Sequence, residues 1–217
     1  MREVPIIQFF PYNSYAKLTR KDVLLIKNFV TYFFQPVSVR NRTNEMKGLA
    51  SYRDGMKVWK FAKSFSSSAE EDWFTGTDEY QAITGKTENW NRGAYLVNGA
   101  LHCAQCHTPR QNDGMTRGKL LPFQELKNGR RVSTWLKGGV LPSGKKAPDI
   151  TKTPDGKTWP ILNDQDNPKD YKVQVLSVFK KIDYEKMQQV YMNQLRHLTP
   201  EDLSAVLEYL NDPNPFN

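Results

Sequence analysis

The stretch LHCAQCHTPR at residues 101–110 contains both cysteines of the chain and two of its three histidines. Two thiols separated by two residues, with an imidazole directly after the second, form the pattern C-x-x-C-H. This pattern is typical of covalent haem c attachment, in which the thiols bond to the haem and the histidine ligates its iron. The pattern therefore predicts a haem bonded to Cys103 and Cys106, with His107 as the proximal ligand.

Two other interpretations use the same side chains. A thioredoxin-like redox pair requires a βαβ pattern with a long helix after the motif, whereas Pro109 and Gly114 interrupt any long helix here. A structural zinc site needs four ligands around one ion, and the two cysteines and two histidines of this stretch lie too close together in sequence for that. A thiol-disulfide oxidoreductase using Cys103 and Cys106 is kept as the alternative to haem attachment.

The composition indicates a soluble globular chain, since 38% of its 217 residues are hydrophobic and 25% are charged. Its longest apolar stretch, DVLLIKNFVTYFF, is interrupted by Lys27 and Asn28 and is shorter than the roughly 20 apolar residues that span a bilayer. It predicts an amphipathic helix, and we expect no transmembrane anchor. The net charge of +8 suits an acidic protein or an anionic membrane, but without a nucleic-acid-binding motif we expect no nucleic acid partner.

Two predicted helices flank the motif. The segment NWNRGAYLVNGALHC predicts a short helix that leads into the haem loop, with Gly93 and Gly99 allowing close approach of another backbone. Near the other end, Thr199 caps a helix whose first residue is Pro200, and Asp202 completes a capping box. The apolar face of that helix comprises Leu203, Val206, Leu207 and Leu210. The predicted fold is mostly α, a cytochrome c-type haem domain with crossed terminal helices.

The distal ligand of the iron is open on chemistry alone. Met187 and Met192 precede the terminal helix, where a returning chain could present a sulfur atom to the open face of a haem. His102 and Met115 lie on the tight loop beside the motif, and His197 is expected at the surface or near the helix cap. Methionine in an apolar setting is often a packing residue, so neither methionine is assigned by this argument.

A family resemblance extends from about Trp90 to Leu210. WNRGAYLVNGALHCAQCHTPR, then APDIT, then HLTPEDLSAVLEYL resembles the haem domains of multi-haem cytochrome c subunits that partner membrane-bound alcohol, gluconate and related periplasmic dehydrogenases. The resemblance implies haem attachment at Cys103 and Cys106, proximal ligation by His107 and distal ligation by Met187. Met192 is the next choice for the distal position.

The same resemblance implies further contacts with the haem. APDIT at residues 147–151 matches the loop that passes beside the haem edge, which places Pro148 and Ile150 at the cofactor. Asp149 stands where asparagine is expected, and Trp159 is expected to line the same edge. Residues 112–146 depart most from the family pattern, so the wall of the haem pocket is undefined there.

An internal repeat suggests the domain organisation. LTRKDVLLIKNFVTYF from Leu18 and LTPEDLSAVLEYL from Leu198 share the capping threonine, the aspartate three residues later and the apolar face. FFPYNSYAKLT, before the first copy, resembles the segment that carries the distal methionine of a preceding haem domain, with Phe10 in the methionine position. We expect residues 1–36 to be the remnant of a first cytochrome c-like domain that lacks its haem motif.

Residues 37–87 are expected to be a linker with a packing helix, and residues 88–213 the haem-binding domain. Trp59, Phe61 and Phe65 are the expected packing residues of the linker, and SSSAEED within it is expected to be solvated. Because a second attachment site would need further cysteines, only one covalent haem is expected.

The sequence contains no Ser-His-Asp set, phosphate loop or nicotinamide or flavin fingerprint in a defensible context, so we expect an electron carrier rather than an enzyme. The resemblance implies transfer of single electrons between a periplasmic dehydrogenase and the respiratory chain. Expected partners are a dehydrogenase subunit, another cytochrome or a quinol or oxidase component, with membrane association only through a partner. A degenerate haem-binding fragment is a further alternative.

The predicted location is the periplasm or the outer face of the inner membrane, because haem c is attached outside the bacterial cytoplasm. The segment MREVPIIQFFPY lacks the apolar core and cleavage site of a secretory signal. The expectation is therefore a start upstream of this sequence or a truncated chain.

Overall fold

The computed structural model describes residues 12–15, 17–35, 38, 80, 82–112, 117–120, 123–141, 144–180 and 185–213. The chain divides into two compact units, one of residues 1–81 with 111–119 and the other of residues 82–110 with 120–217. Phe10 and the linker aromatics Trp59, Phe61 and Phe65 lie outside the described residues. The domain boundaries expected from the sequence remain predictions.

The first unit contains two described helices, α1 (Tyr12–Tyr15) and α2 (Arg20–Phe33). The Thr19 hydroxyl accepts a 3.1 Å hydrogen bond from the Asp22 N–H and caps α2, as the sequence predicts. No residue of α2 is buried, and Leu25 and Phe29 are both more than half exposed. Helix α2 thus forms with the predicted cap and apolar period, but its apolar face is not buried.

The second unit carries the motif between two longer helices. Its helices are α3 (Glu88–Asn98), the single turn α4 (Ala104–His107), α5 (Pro168–Lys180), α6 (Glu185–Asn193), a 3₁₀ turn (Leu195–His197) and α7 (Pro200–Asn211). Short strands lie between α4 and α5: β3 (Phe123–Glu125) pairs with β4 (Arg131–Ser133), and β5 (Gly139–Val140) pairs with β6 (Lys146–Ala147), both antiparallel. Strands β1 (Arg110–Asn112) and β2 (Arg117–Leu120), most of whose residues belong to the first unit, form a separate two-stranded sheet.

Helices α3 and α7 pack directly against each other. A Cβ atom placed on Gly93 would lie 1.9 Å from the Ala205 carbonyl oxygen, so only glycine permits this approach of the backbones. Trp90 and Tyr209 meet edge to face with ring centroids 5.0 Å apart. The core of the second unit lies along this contact, because Ala94, Val97, Leu203, Leu207 and Tyr209 are essentially inaccessible to solvent.

Polar contacts join both ends of α7 to the N-terminal part of α3. The Arg92 guanidinium and the Asp202 carboxylate form a two-pronged ion pair at 2.8 and 3.1 Å, near the start of α7. After the end of α7, the Lys86 ammonium contacts the Asp212 carboxylate at 2.8 Å, and the Trp90 indole N–H donates to the Asp212 carbonyl at 2.9 Å. Both ends of α7 are therefore bonded to the first half of α3 or to the residues just before it.

The prediction of a mostly helical chain is confirmed, because helices outnumber the short strands in the described residues. The Thr199 cap is also confirmed, since its hydroxyl accepts from the Asp202 N–H at 3.1 Å. The strands between residues 110 and 147 were not expected from the sequence. No helix in the described part of the chain is long and apolar enough to cross a membrane.

Candidate haem-attachment site

The loop from α3 to the motif folds back on the helix that precedes it. The N–H of Leu101 donates to the Leu96 carbonyl at 2.9 Å, and that of Cys103 donates to the Val97 carbonyl at 3.1 Å. His102 turns the chain with a φ of 43°, a left-handed conformation that is uncommon outside glycine. The position of Cys103 is therefore determined by α3.

A single helical turn brings the motif side chains together. The N–H groups of Cys106 and His107 donate to the Cys103 carbonyl at 3.1 and 3.0 Å, and the turn ends at Thr108. Both thiols are free, and both cysteines are partly exposed. The turn presents two thiols and one imidazole from five consecutive residues.

His107 is buried, with 5% of its surface exposed, and its ring orientation is fixed by one hydrogen bond. Its Nδ1 lies 2.8 Å from the Pro148 carbonyl oxygen, which can only accept, so Nδ1 carries the proton. Burial lowers the pKa of His107, while the Pro148 carbonyl and the Asp149 carboxylate act in the opposite direction. The ring is neutral at pH 7, and Nε2 bears the lone pair that a metal ligand requires.

The Cys103 thiol lacks the lowered pKa that is typical of a redox-active cysteine. Burial of the sulfur raises the pKa of Cys103 to about 12, and the electrostatic interaction with the neighbouring Cys106 acts in the same direction. A dithiol oxidoreductase needs a thiol whose pKa is lowered, because the thiolate is the nucleophile. The alternative of a thiol-disulfide oxidoreductase thus gains no support from the site. In the described segments, there is also no group of three or more His, Cys, Asp or Glu side chains that could hold a metal ion.

Among the predicted loop residues, Pro148 contacts His107, and Ile150 connects the same loop to Trp159. Pro148 supplies the carbonyl that orients the imidazole, and the Ile150 carbonyl accepts from the Trp159 indole N–H at 2.9 Å. Trp159 is buried and stacks on Phe179 with centroids 5.3 Å apart. The Asp149 carboxylate accepts from the N–H and hydroxyl of Thr151, both at 2.7 Å, and so shapes the loop locally.

A buried polar network beneath the motif was not predicted from the sequence. The Tyr209 hydroxyl accepts from the Trp135 indole N–H at 3.0 Å and from the Asn98 amide at 3.1 Å. All three residues are at most 4% exposed, and the Asn98 Oδ1 has no hydrogen-bond partner among the described residues. Trp135 comes from the segment that departs most from the family pattern. In that segment, the sequence signal for a packed turn is a tryptophan followed by the glycine pair Gly138 and Gly139.

The two methionines considered for the distal position both lie in α6. Met187 is half-buried, whereas Met192 is 45% exposed and its sulfur lies 3.6 Å from the Arg196 guanidinium. His197 is exposed, with Nε2 at 3.2 Å from the Met192 carbonyl. These contacts do not relate the sulfur of either methionine to His107, and the distal role of Met187 remains a prediction.

The motif residues fit the haem expected from the sequence. Two free thiols stand on the same turn as a neutral histidine whose Nδ1 is held by a carbonyl and whose Nε2 bears its lone pair. These are the donors that covalent attachment and proximal ligation require.

The chain is similar in sequence to cytochrome subunits of known dehydrogenases. The chain is 28% identical over 205 residues to the fructose dehydrogenase cytochrome subunit of Gluconobacter japonicus, covering 92% of this chain and 35% of that protein. It is 31% identical over 146 residues to a diheme cytochrome c-type protein of Cereibacter sphaeroides, covering 65% of this chain and 39% of that protein. The chain is homologous to dehydrogenase cytochrome c subunits.

Other relatives agree with this homology. The gluconate 2-dehydrogenase cytochrome c subunit of Pantoea cypripedii is 30% identical over 105 residues, which cover 46% of this chain and 20% of that protein. The chain thus spans well under half the length of the dehydrogenase cytochrome subunits that it matches. No protein-family model matches the chain.

Proposed function

We propose that the chain is a haem c-binding electron-transfer protein that passes single electrons between a periplasmic dehydrogenase and the respiratory chain. The observation that carries the proposal is the His107 Nδ1–Pro148 hydrogen bond on a C-x-x-C-H turn, because it prepares a neutral imidazole beside two thiols. The cytochrome c subunits among the relatives support the same cofactor and role. A haem c bound there would supply one-electron redox chemistry.

Each residue of the site has a defined part in this proposal. Cys103 and Cys106 hold the haem covalently, and His107 donates Nε2 to its iron. Met187 supplies the distal sulfur, a soft ligand that favours the reduced state and suits an electron carrier. Pro148 orients the proximal ring, while Ile150 and Trp159 close the edge of the pocket and exclude water.

The partners and the location are part of the proposal. A dehydrogenase subunit donates the electrons, and another cytochrome or a quinol or oxidase component accepts them, at the periplasmic face of the inner membrane. The protein is an electron carrier in this scheme, and substrate oxidation takes place on its partner. One covalent haem per chain is proposed, since Cys103 and Cys106 are its only thiols.

The attachment is tested by expressing the chain with an added export signal and the haem c maturation machinery. We expect a haem c spectrum in alkaline pyridine and a mass increase of one haem. Cys103→Ser, Cys106→Ser and His107→Ala should each reduce covalent haem at least tenfold, whereas His197→Ala, at an exposed histidine, should leave it unchanged. A colourless wild-type protein whose thiols reduce a test disulfide would establish the redox-thiol alternative instead.

The distal ligand is tested on the haem-loaded protein. Met187→Ala should convert a low-spin iron to high spin and lower its reduction potential, because the soft sulfur ligand is lost. Met192→Ala is the matched control in the same helix, and we expect it to leave the spin state unchanged. The opposite result would move the distal ligand to Met192.

A further inference from the structure

The turn formed by residues 135–139 packs on the motif. The buried Thr108 hydroxyl accepts from the Leu136 N–H at 3.1 Å, and the Gly138 N–H donates to the His107 carbonyl at 2.7 Å. A Cβ atom on Gly139 would lie 2.6 Å from the Cys106 carbonyl oxygen, so the turn fits only because that residue is glycine. The turn is thus in direct contact with the backbone that carries the proximal histidine.

The same turn contacts the loop that orients the imidazole. The Leu136 carbonyl accepts from the Ile150 N–H at 3.0 Å, and a Cβ atom on Gly138 would lie 2.9 Å from the Ala147 carbonyl oxygen. Pro148, between these two contacts, accepts from His107 Nδ1. Leu136 therefore joins the two sides: its N–H bonds the motif, and its carbonyl bonds the Pro148 loop.

Leu136 adopts a strained backbone conformation. It is fully buried and has a φ of 59°, in the left-handed region that costs a non-glycine residue roughly 1–2 kcal/mol. Such a conformation persists where the surrounding contacts over-determine it, and it is found often at functional sites. Here the contacts that hold it are the hydrogen bonds to Thr108 and Ile150.

From this geometry we infer that Thr108 is a positioning residue for the proximal ligand, acting through Leu136 to hold the Pro148 carbonyl against His107. The inference rests on the proposed haem function. A carbonyl held close to Nδ1–H makes the imidazole a stronger donor to the iron and favours the oxidised state. When the Thr108 acceptor is removed, the turn loosens, the Nδ1–H bond lengthens and the reduction potential rises.

The test compares Thr108→Val, which is similar in shape but cannot accept a hydrogen bond, with Thr108→Ser, which can. The haem-loaded proteins are compared by reduction potential and by NMR-detected solvent exchange of the His107 Nδ1 proton. We expect Thr108→Val to raise the potential and to speed exchange at least tenfold, and Thr108→Ser to restore both. Thr153→Val is the control, since that hydroxyl stays within the surface turn at residues 153–157.

A loss of stability in Thr108→Val with unchanged potential and exchange would overturn the inference and leave Thr108 a purely structural residue. If Thr108→Val does not fold, Thr108→Ala provides the second variant, because it also removes the acceptor for the Leu136 N–H and adds no atom to the site. Faster exchange and a higher potential in that variant support the inference, and unchanged values overturn it. A wild-type chain that binds no haem would instead refute the proposed function, and the inference with it.

Discussion

Helices α2 and α7 begin with the same capping arrangement but have different surroundings. Thr19 and Thr199 each accept a 3.1 Å hydrogen bond from the N–H of the aspartate three residues later. Helix α2 has no buried residue, whereas α7 buries Leu203, Leu207 and Tyr209. The difference shows that a cap and an apolar period determine where a helix forms, whereas burial requires a complementary surface, which α3 provides for α7.

The largest effect is expected where α3 meets α7. Gly93→Ala should lower the free energy of unfolding of the second unit by more than about 4 kcal/mol, because the added Cβ would overlap the Ala205 carbonyl. Gly85→Ala is the control at an open position, where only the positive φ of 85° costs roughly 1–2 kcal/mol. Urea unfolding of the two variants measures the difference, and equal losses would show that the contact between α3 and α7 is looser than described.

An identical substitution in the two helices tests the comparison directly. Leu207→Ala should lower the free energy of unfolding by about 2–5 kcal/mol, since Leu207 is fully buried. Leu25→Ala should lower the free energy of unfolding by no more than about 0.5 kcal/mol, because Leu25 is 57% exposed. Both values come from chemical denaturation monitored by circular dichroism. Similar losses at the two sites would mean that α2 is also packed in solution.

The sequence predicted the elements that depend on local chemistry. Thr199, Pro200 and Asp202 specify the start of α7 because capping is a short-range interaction. The motif placed Cys103, Cys106 and His107 on one turn for the same reason. Pro148 was assigned by resemblance, and the structure shows its carbonyl bonded to His107.

What the sequence did not predict depends on contacts between distant segments. The hydrogen bond of Trp135 to Tyr209 joins residues 74 positions apart, and that of Leu136 to Thr108 joins residues 28 positions apart. In neither pair does the local sequence around one residue predict which residue it will contact. The left-handed conformation of Leu136 is also invisible in sequence, since leucine has no preference for it.

A smaller effect is expected at alkaline pH, where the buried Tyr209 of α7 can be compared with an exposed tyrosine of α2. Burial raises the pKa of Tyr209 above the ordinary value of 10.0, so the folded chain keeps this proton when the unfolded chain loses it. The unfolded state then binds fewer protons, and the free energy of unfolding falls as pH rises above about 10.

Tyr209→Phe should make this alkaline decline shallower, and at neutral pH it should cost about 1–3 kcal/mol by leaving Trp135 and Asn98 without their shared acceptor. The matched control in α2 is Tyr32→Phe, at a tyrosine that is 79% exposed. Urea unfolding between pH 7 and pH 11 gives both slopes. An unchanged alkaline slope in Tyr209→Phe would contradict the burial of its hydroxyl.

The contacts of Asp212 with Lys86 and Trp90 place the beginning and the end of the second unit at the same point. Because these two points are close together, the segments that precede residue 82 and follow residue 213 can be changed with little effect on the core of the unit. The same geometry makes the unit suitable for circular permutation, with a linker from residue 213 to residue 82 that keeps the Ile83–Asn91 hydrogen bonds, and new termini in the exposed turn at residues 127–129. Such a rearrangement would leave the helix pair and the motif turn intact while changing only the order in which the chain visits them.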